Sequence, residues 1–192
     1  AREEKIVKYM DVPIQHVSGR VLKLMNRRGD AESLAALMEK IRAKVPGVVL
    51  RTTLITGFPT ETEEEFTGLC EFIREVRFER LGCFAYSAEE DTPAALMPEQ
   101  VPEDVKRRRL DALMTQQQDI SLARNRLRVG QTVLALVERV RGDGVAIART
   151  EAEAPDSDGL LYLQNADGIS PGDMVTARIT DADIYDLTGV IV

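Results

Sequence analysis

Val48-Val-Leu-Arg-Thr-Thr-Leu-Ile-Thr-Gly-Phe-Pro-Thr-Glu61 decides the fold. Its first eight residues are apolar and β-branched, too short a run for a helix and well suited to a buried strand over 48–55. Gly57-Phe-Pro-Thr60 then breaks the strand, and a helical pattern follows with Phe66, Leu69, Cys70, Ile73 and Val76 on one face. A strand that passes through so short a corner into a helix is half of a βα unit. Side chains alternate along a strand, so Arg51 and Thr53 share one face and Thr52 takes the other.

The pattern repeats on both sides. Upstream, Tyr9-Met-Asp-Val-Pro-Ile-Gln15 is a short extended run, and Ser18 caps a helix carrying Val21, Leu22 and Met25. Gly29-Asp30 ends that helix, and Leu34, Leu37, Met38 and Ile41 mark a second one that stops before Pro46-Gly47. Downstream, Leu81-Gly-Cys-Phe-Ala-Tyr86 reads as the next strand, Ser87 to Pro102 as loop, and 103–127 as a long helix with Leu110, Leu113, Met114 and Ile120 on its apolar side. Strands alternating with helices of this length predict an α/β region built on a parallel sheet, and ligands of such sheets sit at the carboxyl ends of the strands.

After Val129-Gly130 the period changes to two. Five short segments, 132–137, 145–148, 160–163, 174–179 and 187–192, are separated by Gly- and Asp-rich turns, which predicts a small five-stranded antiparallel barrel of oligonucleotide-binding-like topology with Leu161, Leu163, Val175 and Ile179 in its core. The expected organisation is therefore 1–102 α/β, 103–127 linking helix and 128–192 β-barrel. The net charge is −7 over 192 residues, and residues 128–192 carry most of it, with five Arg, no Lys and eleven acidic residues. Nucleic-acid affinity rests on neutralising phosphates, so this tail is poorly suited to RNA and better suited to a basic protein. Asp156, Asp158 and Asp183 are the acids expected in turns a partner can reach. No apolar run approaches the ~18 residues of a membrane span, and no signal segment opens the chain; a cytoplasmic protein is expected.

The three strand-to-helix corners hold the candidate site. Gln15 and His16 in the first either face a ligand or bond the loop backbone. In the second, Thr60-x-x-Glu63 has the spacing of a capping box, Gly57 supplies a permissive backbone angle and Pro59 fixes the start of the helix. Arg51 must meet an anion or a carboxylate if it turns inward. The third corner is Ala85-Tyr-Ser-Ala-Glu-Glu-Asp-Thr92. Cys70 and Cys83 lie in apolar patterns and are expected in the core; with His16 they cannot make an ordinary structural metal site. Lys106-Arg-Arg-Arg109 reads as a solvated helix start balanced by Glu103 and Asp104.

In order and wording, Tyr9-Met-Asp-Val-Pro-Ile-Gln-His16, Arg20-Val-Leu-Lys-Leu-Met-Asn-Arg27, Arg51 to Glu63 and Phe84-Ala-Tyr-Ser-Ala-Glu-Glu-Asp-Thr-Pro-Ala-Ala95 resemble the radical-SAM methylthiotransferases. The ribosomal-protein branch is the nearest match, and Thr150-Glu-Ala-Glu-Ala-Pro-Asp-Ser-Asp-Gly159 is similar to a turn in that branch's C-terminal TRAM domain. Two positions depart from the family pattern, Thr60 and Asp91, each standing where the family has Gly. A Gly holds positive φ where Thr resists it, so both loops are expected to differ locally.

The resemblance implies the second half of a TIM-like radical-SAM barrel followed by TRAM. It implies transfer of a methylthio group to the β-carbon of an aspartate in a basic small-subunit ribosomal protein, with S-adenosylmethionine and two four-iron four-sulfur clusters. The family's cluster cysteines lie in segments upstream of Ala1, so the chain is expected to be the C-terminal part of such an enzyme and inactive alone. On this chain the resemblance places Gln15, Arg51, Thr53, Ile55, Gly57, Tyr86 and Ser87 on the S-adenosylmethionine side. The tRNA branch of the same family, in which TRAM grips RNA, and a non-catalytic acidic docking module are the competing expectations.

Overall fold

The computed structural model describes residue 3 and residues 5–192, in two compact units. One is Met10–Gln117; the other joins the segment ending at Tyr9 to Gln118–Val192.

In the first unit, strands β1 (Tyr9–Asp11), β2 (Val49–Thr56) and β3 (Arg80–Ala85) form a three-stranded sheet in that order. Helices α1 (Gly19–Leu24) and α2 (Ala31–Lys44) lie between β1 and β2 in sequence, and α3 (Glu63–Val76) between β2 and β3. β2 and β3 are parallel, with Arg51 opposite Arg80 and Thr56 opposite Ala85. Burial alternates along β2 as the sequence requires. Leu50, Thr52, Leu54 and Thr56 are fully buried, while Val49, Arg51, Thr53 and Ile55 are half-buried. Leu69, Phe72, Ile73 and Phe78 are buried too, each worth roughly 1.5–3 kcal/mol relative to exposure. The α1 cap is the expected one, Ser18 accepting from the Val21 N–H. Asp30 and Ser33 form a reciprocal capping box on α2.

Two expectations are corrected here. The capping box of α3 is Thr62 with Glu65, not Thr60 with Glu63. Thr60 is held in the left-handed region at φ 68°, so the corner takes two more residues before the helix begins. Cys70 and Cys83 are half-buried rather than core, because β3 is an outer strand of the sheet and only one side of α3 is covered.

Helix α4 (Glu103–Arg126) contributes its first turns to the first unit and its last to the second. The second unit is a closed barrel of β4 (Thr132–Val140), β5 (Ala146–Arg149), β6 (Leu161–Gln164), β7 (Met174–Ala182) and β8 (Leu187–Ile191), in the order β4-β5-β6-β8-β7. Leu161, Leu163, Val175 and Ile179 lie in its core with Val137, Ala135 and Ala177. The barrel is mixed, not antiparallel, since β6 and β8 run parallel. A closed ring of five strands cannot alternate direction all the way round, so one pair must be parallel. Gly189 occupies that seam, where a Cβ would stand 2.8 Å from the Arg178 carbonyl oxygen.

Candidate functional site

Three loops meet at the carboxyl end of the first unit's sheet. The Gln15 N–H donates to the Thr53 carbonyl at 2.9 Å, and the Ile55 N–H donates to the Gln15 carbonyl at 2.8 Å. Gln15 takes φ 69° to do so. These bonds stitch the first corner to β2, and the Tyr86 N–H donating to the Thr56 carbonyl at 2.9 Å stitches on the third. The open face of the sheet then presents Arg51, Thr53 and Ile55, with Arg80, Gly82 and Phe84 beside them in register. Phe84 is 63% exposed. Arg51 meets a carboxylate, its Nη1 donating to Asp11 Oδ2 at 2.5 Å. Gly57 and Tyr86 are buried behind this face, and Ser87 is exposed at its end. Gln15, Arg51, Thr53 and Ile55 are thus brought together, with Gly57 and Tyr86 as their support.

The support is charged, which the sequence reading missed. Glu61 is buried, and its Oε1 lies 3.0 Å from His16 Nε2. Its Oε2 accepts from Arg109 Nη1 at 2.7 Å and from the Gly57 N–H at 2.5 Å. His16 is fully buried, and its Nδ1 accepts from the Ser18 N–H at 2.9 Å. One carboxylate therefore ties the first corner, the second corner and α4 to each other. Taking charges out of water is costly unless each is paired and hydrogen-bonded, and here each is. The expectation of a solvated Lys106–Arg109 cluster is corrected accordingly: Lys106 and Arg109 are each only 4% exposed, because their partners, Glu103 and Glu61, neutralise them locally. Positions 106 and 109 share a helix face with the buried Leu113, while Arg107 and Arg108 are exposed. Gly57 is required twice over: its φ is +73°, and a Cβ would overlap Cγ of Lys106.

A second network sits at the rim. Arg20 donates to both oxygens of Glu65, at 2.9 and 2.6 Å, and to the side chain and carbonyl of Thr60, at 2.9 and 2.7 Å. Burial works to raise the Glu65 pKa, but the Arg20 bonds, the Thr62 N–H, the Ser18 hydroxyl and the Arg20 charge together hold it at about 2. The same carboxylate raises the Arg20 pKa. Thr60 and Asp91 both take positive φ, 68° and 62°. Both residues thus take a left-handed backbone that Gly adopts more readily.

Burial pushes the thiol of Cys83 up to about 12 and that of Cys70 in the same direction. Cluster ligation needs thiolates, and among the described residues no three His, Cys, Asp or Glu converge on one point. Among the described residues, these half-buried thiols form no ligand set for an iron–sulfur cluster. The open face of the sheet, with a guanidinium and a threonine hydroxyl beside Ile55 and Phe84, does fit a nucleoside carrying a charged tail.

In the barrel unit, Asp156 and Asp183 are exposed. Asp158 is engaged within the fold, its Oδ2 accepting from the Tyr9 hydroxyl at 2.6 Å and the Ala154 N–H at 2.8 Å. The loop before it is anchored by Arg128, which is bonded to Glu153 and to Thr150. Among the described residues no helix is long and apolar enough to cross a membrane.

Sequence comparison agrees with this architecture. Residues 2–73 match the radical SAM superfamily and residues 129–192 match the TRAM domain. Curated relatives of high identity include ribosomal protein uS12 methylthiotransferases. The chain is 49% identical, over 98% of its length, to the ribosomal protein uS12 methylthiotransferase RimO of Pelotomaculum thermopropionicum, of which it covers 43%. It is 46% identical over 98% of its length to the RimO of Desulfitobacterium hafniense, covering 42%, and 48% identical over its full length to that of Thermodesulfovibrio yellowstonii, covering 45%. It thus spans less than half the length of these curated relatives. In coproporphyrinogen III oxidase (HemN) from Escherichia coli, a radical SAM enzyme, 39% of the solved chain superposes on 75% of this one at TM-score 0.49 and 20% identity.

Proposed function

We propose that this chain supplies the S-adenosylmethionine-facing strands and the TRAM domain of a cytoplasmic methylthiotransferase acting on ribosomal protein uS12, at the β-carbon of an aspartate. The observation that carries the reading is the 49% identity to the RimO of Pelotomaculum thermopropionicum over 98% of the chain. When bound, S-adenosylmethionine would supply the chemistry of hydrogen abstraction, and the iron–sulfur clusters that the radical-SAM match implies would be ligated by cysteines that this chain does not offer. The chain's own residues bind and exclude water. Gln15, Thr53 and Ile55 fix the backbone that lies along the nucleoside, Arg51 offers charge to the cofactor's tail, and Tyr86 with Ser87 ends the pocket wall. Gly57, held by Glu61, sets the corner.

The barrel's role is to receive the ribosomal protein. Its excess of acids over Arg opposes phosphates and attracts a Lys- and Arg-rich partner, so tRNA is the disfavoured substrate. Asp156 and Asp183 are the exposed acids assigned to this contact.

The test has two arms. Titration of the chain with S-adenosylhomocysteine, followed by amide NMR, is expected to shift Gln15, Thr53 and Ile55, and shifts confined to the barrel would refute the cofactor face. Incubating the full-length protein, clusters reconstituted, with uS12 and separately with tRNA is expected to add the methylthio group to uS12 alone. Modification of tRNA would move the protein to the other branch.

A further inference from the structure

A cavity of about 550 Å³ opens at the end of β3 and the first turn of α4, lined among others by Tyr86, Ser87, Gln100, Glu103 and Lys106. Lys106 is the unusual member. The residue is 4% exposed, and its ammonium sits 5.2 Å from the centroid of the Tyr86 ring. The charge is met by Glu103 Oε1 at 2.7 Å, from a side chain that is itself 73% exposed. The hydroxyl of Tyr86 is buried and has no hydrogen-bond partner among the described residues. A buried cation whose counter-ion stands mostly in water is an arrangement in which the counter-ion can be exchanged. Glu103 loses little by turning outward, because it regains full hydration, whereas Lys106 cannot follow: its stem is packed on Gly57.

We propose that this cavity is a binding site for a ligand carboxylate, which displaces Glu103 from Lys106. The Glu103 carboxylate marks where the ligand group sits. One ammonium balances one negative charge, and the backbone N–H groups of the first α4 turn favour an anion there as well. A phosphate dianion is disfavoured, since a single lysine would leave one charge unmatched beside Glu103. Ser87 and the Tyr86 hydroxyl offer neutral donors to the remainder of the ligand. The site shares Tyr86 and Ser87 with the wall assigned above to the cofactor, but Gln100, Glu103 and Lys106 take no part in that assignment, and the proposal does not depend on the methylthiotransferase reading.

The experiment is an amide NMR titration of the whole chain with succinate, with N-acetylaspartate amide and with inorganic phosphate. Both carboxylates are expected to shift Tyr86, Ser87, Gln100 and Lys106 saturably, with phosphate binding more weakly. Glu103→Gln removes the internal competitor and is expected to tighten carboxylate binding several-fold, while Lys106→Met weakens it about tenfold or more. Tyr86→Phe, which preserves the ring, is expected to weaken it about three-fold. No shift at these amides with either carboxylate, phosphate binding as tightly as succinate, or a Glu103→Gln variant that binds no better than the parent each overturns the proposal. The Glu103 variant keeps the test decisive even if Lys106→Met does not fold.

Discussion

In the barrel every strand has two hydrogen-bonded neighbours, whereas in the sheet only β2 does. The barrel core is a cluster of Ala, Val, Leu and Ile; the first unit buries His16, Glu61, Lys106 and Arg109 among its apolar side chains. Closure gives every strand two neighbours and fills the ring with apolar side chains, and the acid this unit does bury, Glu153 paired with Arg128, lies in the turn after β5. The open sheet leaves Arg51, Thr53, Ile55 and Phe84 on its uncovered face and spends buried ion pairs on fixing the loops behind them. The open, charged unit is the one whose geometry can address a ligand; the closed one offers its outer surface.

Removing the hub should show this difference most strongly. Glu61→Ala takes the carboxylate partner from the buried Arg109 Nη1, His16 Nε2 and Gly57 N–H, and is expected to destabilise the first unit by about 3–5 kcal/mol, read by urea unfolding with circular dichroism. A loss below 1 kcal/mol would mean that the hub is not organising the corners. A matched pair sharpens the contrast. Leu163→Ala in the closed core is expected to cost about 2–5 kcal/mol, whereas Phe84→Ser on the open face should change stability by less than about 0.5 kcal/mol, both read by the same unfolding. Equal costs at the two sites would break the comparison.

Gly57→Ala probes the corner itself. With φ at +73° and Lys106 against the site of the new methyl group, it is expected to cost about 1–3 kcal/mol, measured by the same unfolding.

The rim network predicts a pH dependence. Because the folded pKa of Glu65 lies at about 2, below its ordinary 4.5, its contribution is complete above pH 4.5 and is lost as pH falls toward 2. Arg20→Ala should move the Glu65 titration upward, as followed by carboxyl NMR, and flatten that acid loss. The smallest effect is expected for Thr60→Gly. Relief of the left-handed strain is worth about 1–2 kcal/mol, which the lost Arg20 bond and the freer unfolded chain offset to within about 1 kcal/mol.

Periodicity carried much of this architecture. The β-branched run at 48–55, the period-two segments after Gly130 and the cap at Ser18 all describe local preferences, and local preferences survive folding. Arg51 was legible as a residue needing a carboxylate because a strand's alternation is fixed by its backbone. The Glu61 hub was not legible: His16, Gly57, Glu61 and Arg109 span 93 positions, and nothing in their spacing announces that they converge. The capping box slipped by two residues because Thr60 spends its side chain on Arg20 and its backbone on a left-handed turn, which the Thr-x-x-Glu spacing cannot reveal.

By itself the sequence determined where strands and helices alternate, where the period changes, which residues form the barrel core and that the last third is acidic. These follow from side-chain size, branching and charge, which act within a few residues of themselves. Only the tertiary structure decided that the barrel is mixed, that Lys106 and Arg109 lie buried rather than solvated, and that Asp158 is bonded to Tyr9 while Asp156 is not. Those outcomes depend on ring closure and on the pairing of charges far apart in the chain, where the cost of burying an ion is offset only by a partner that folding brings to it.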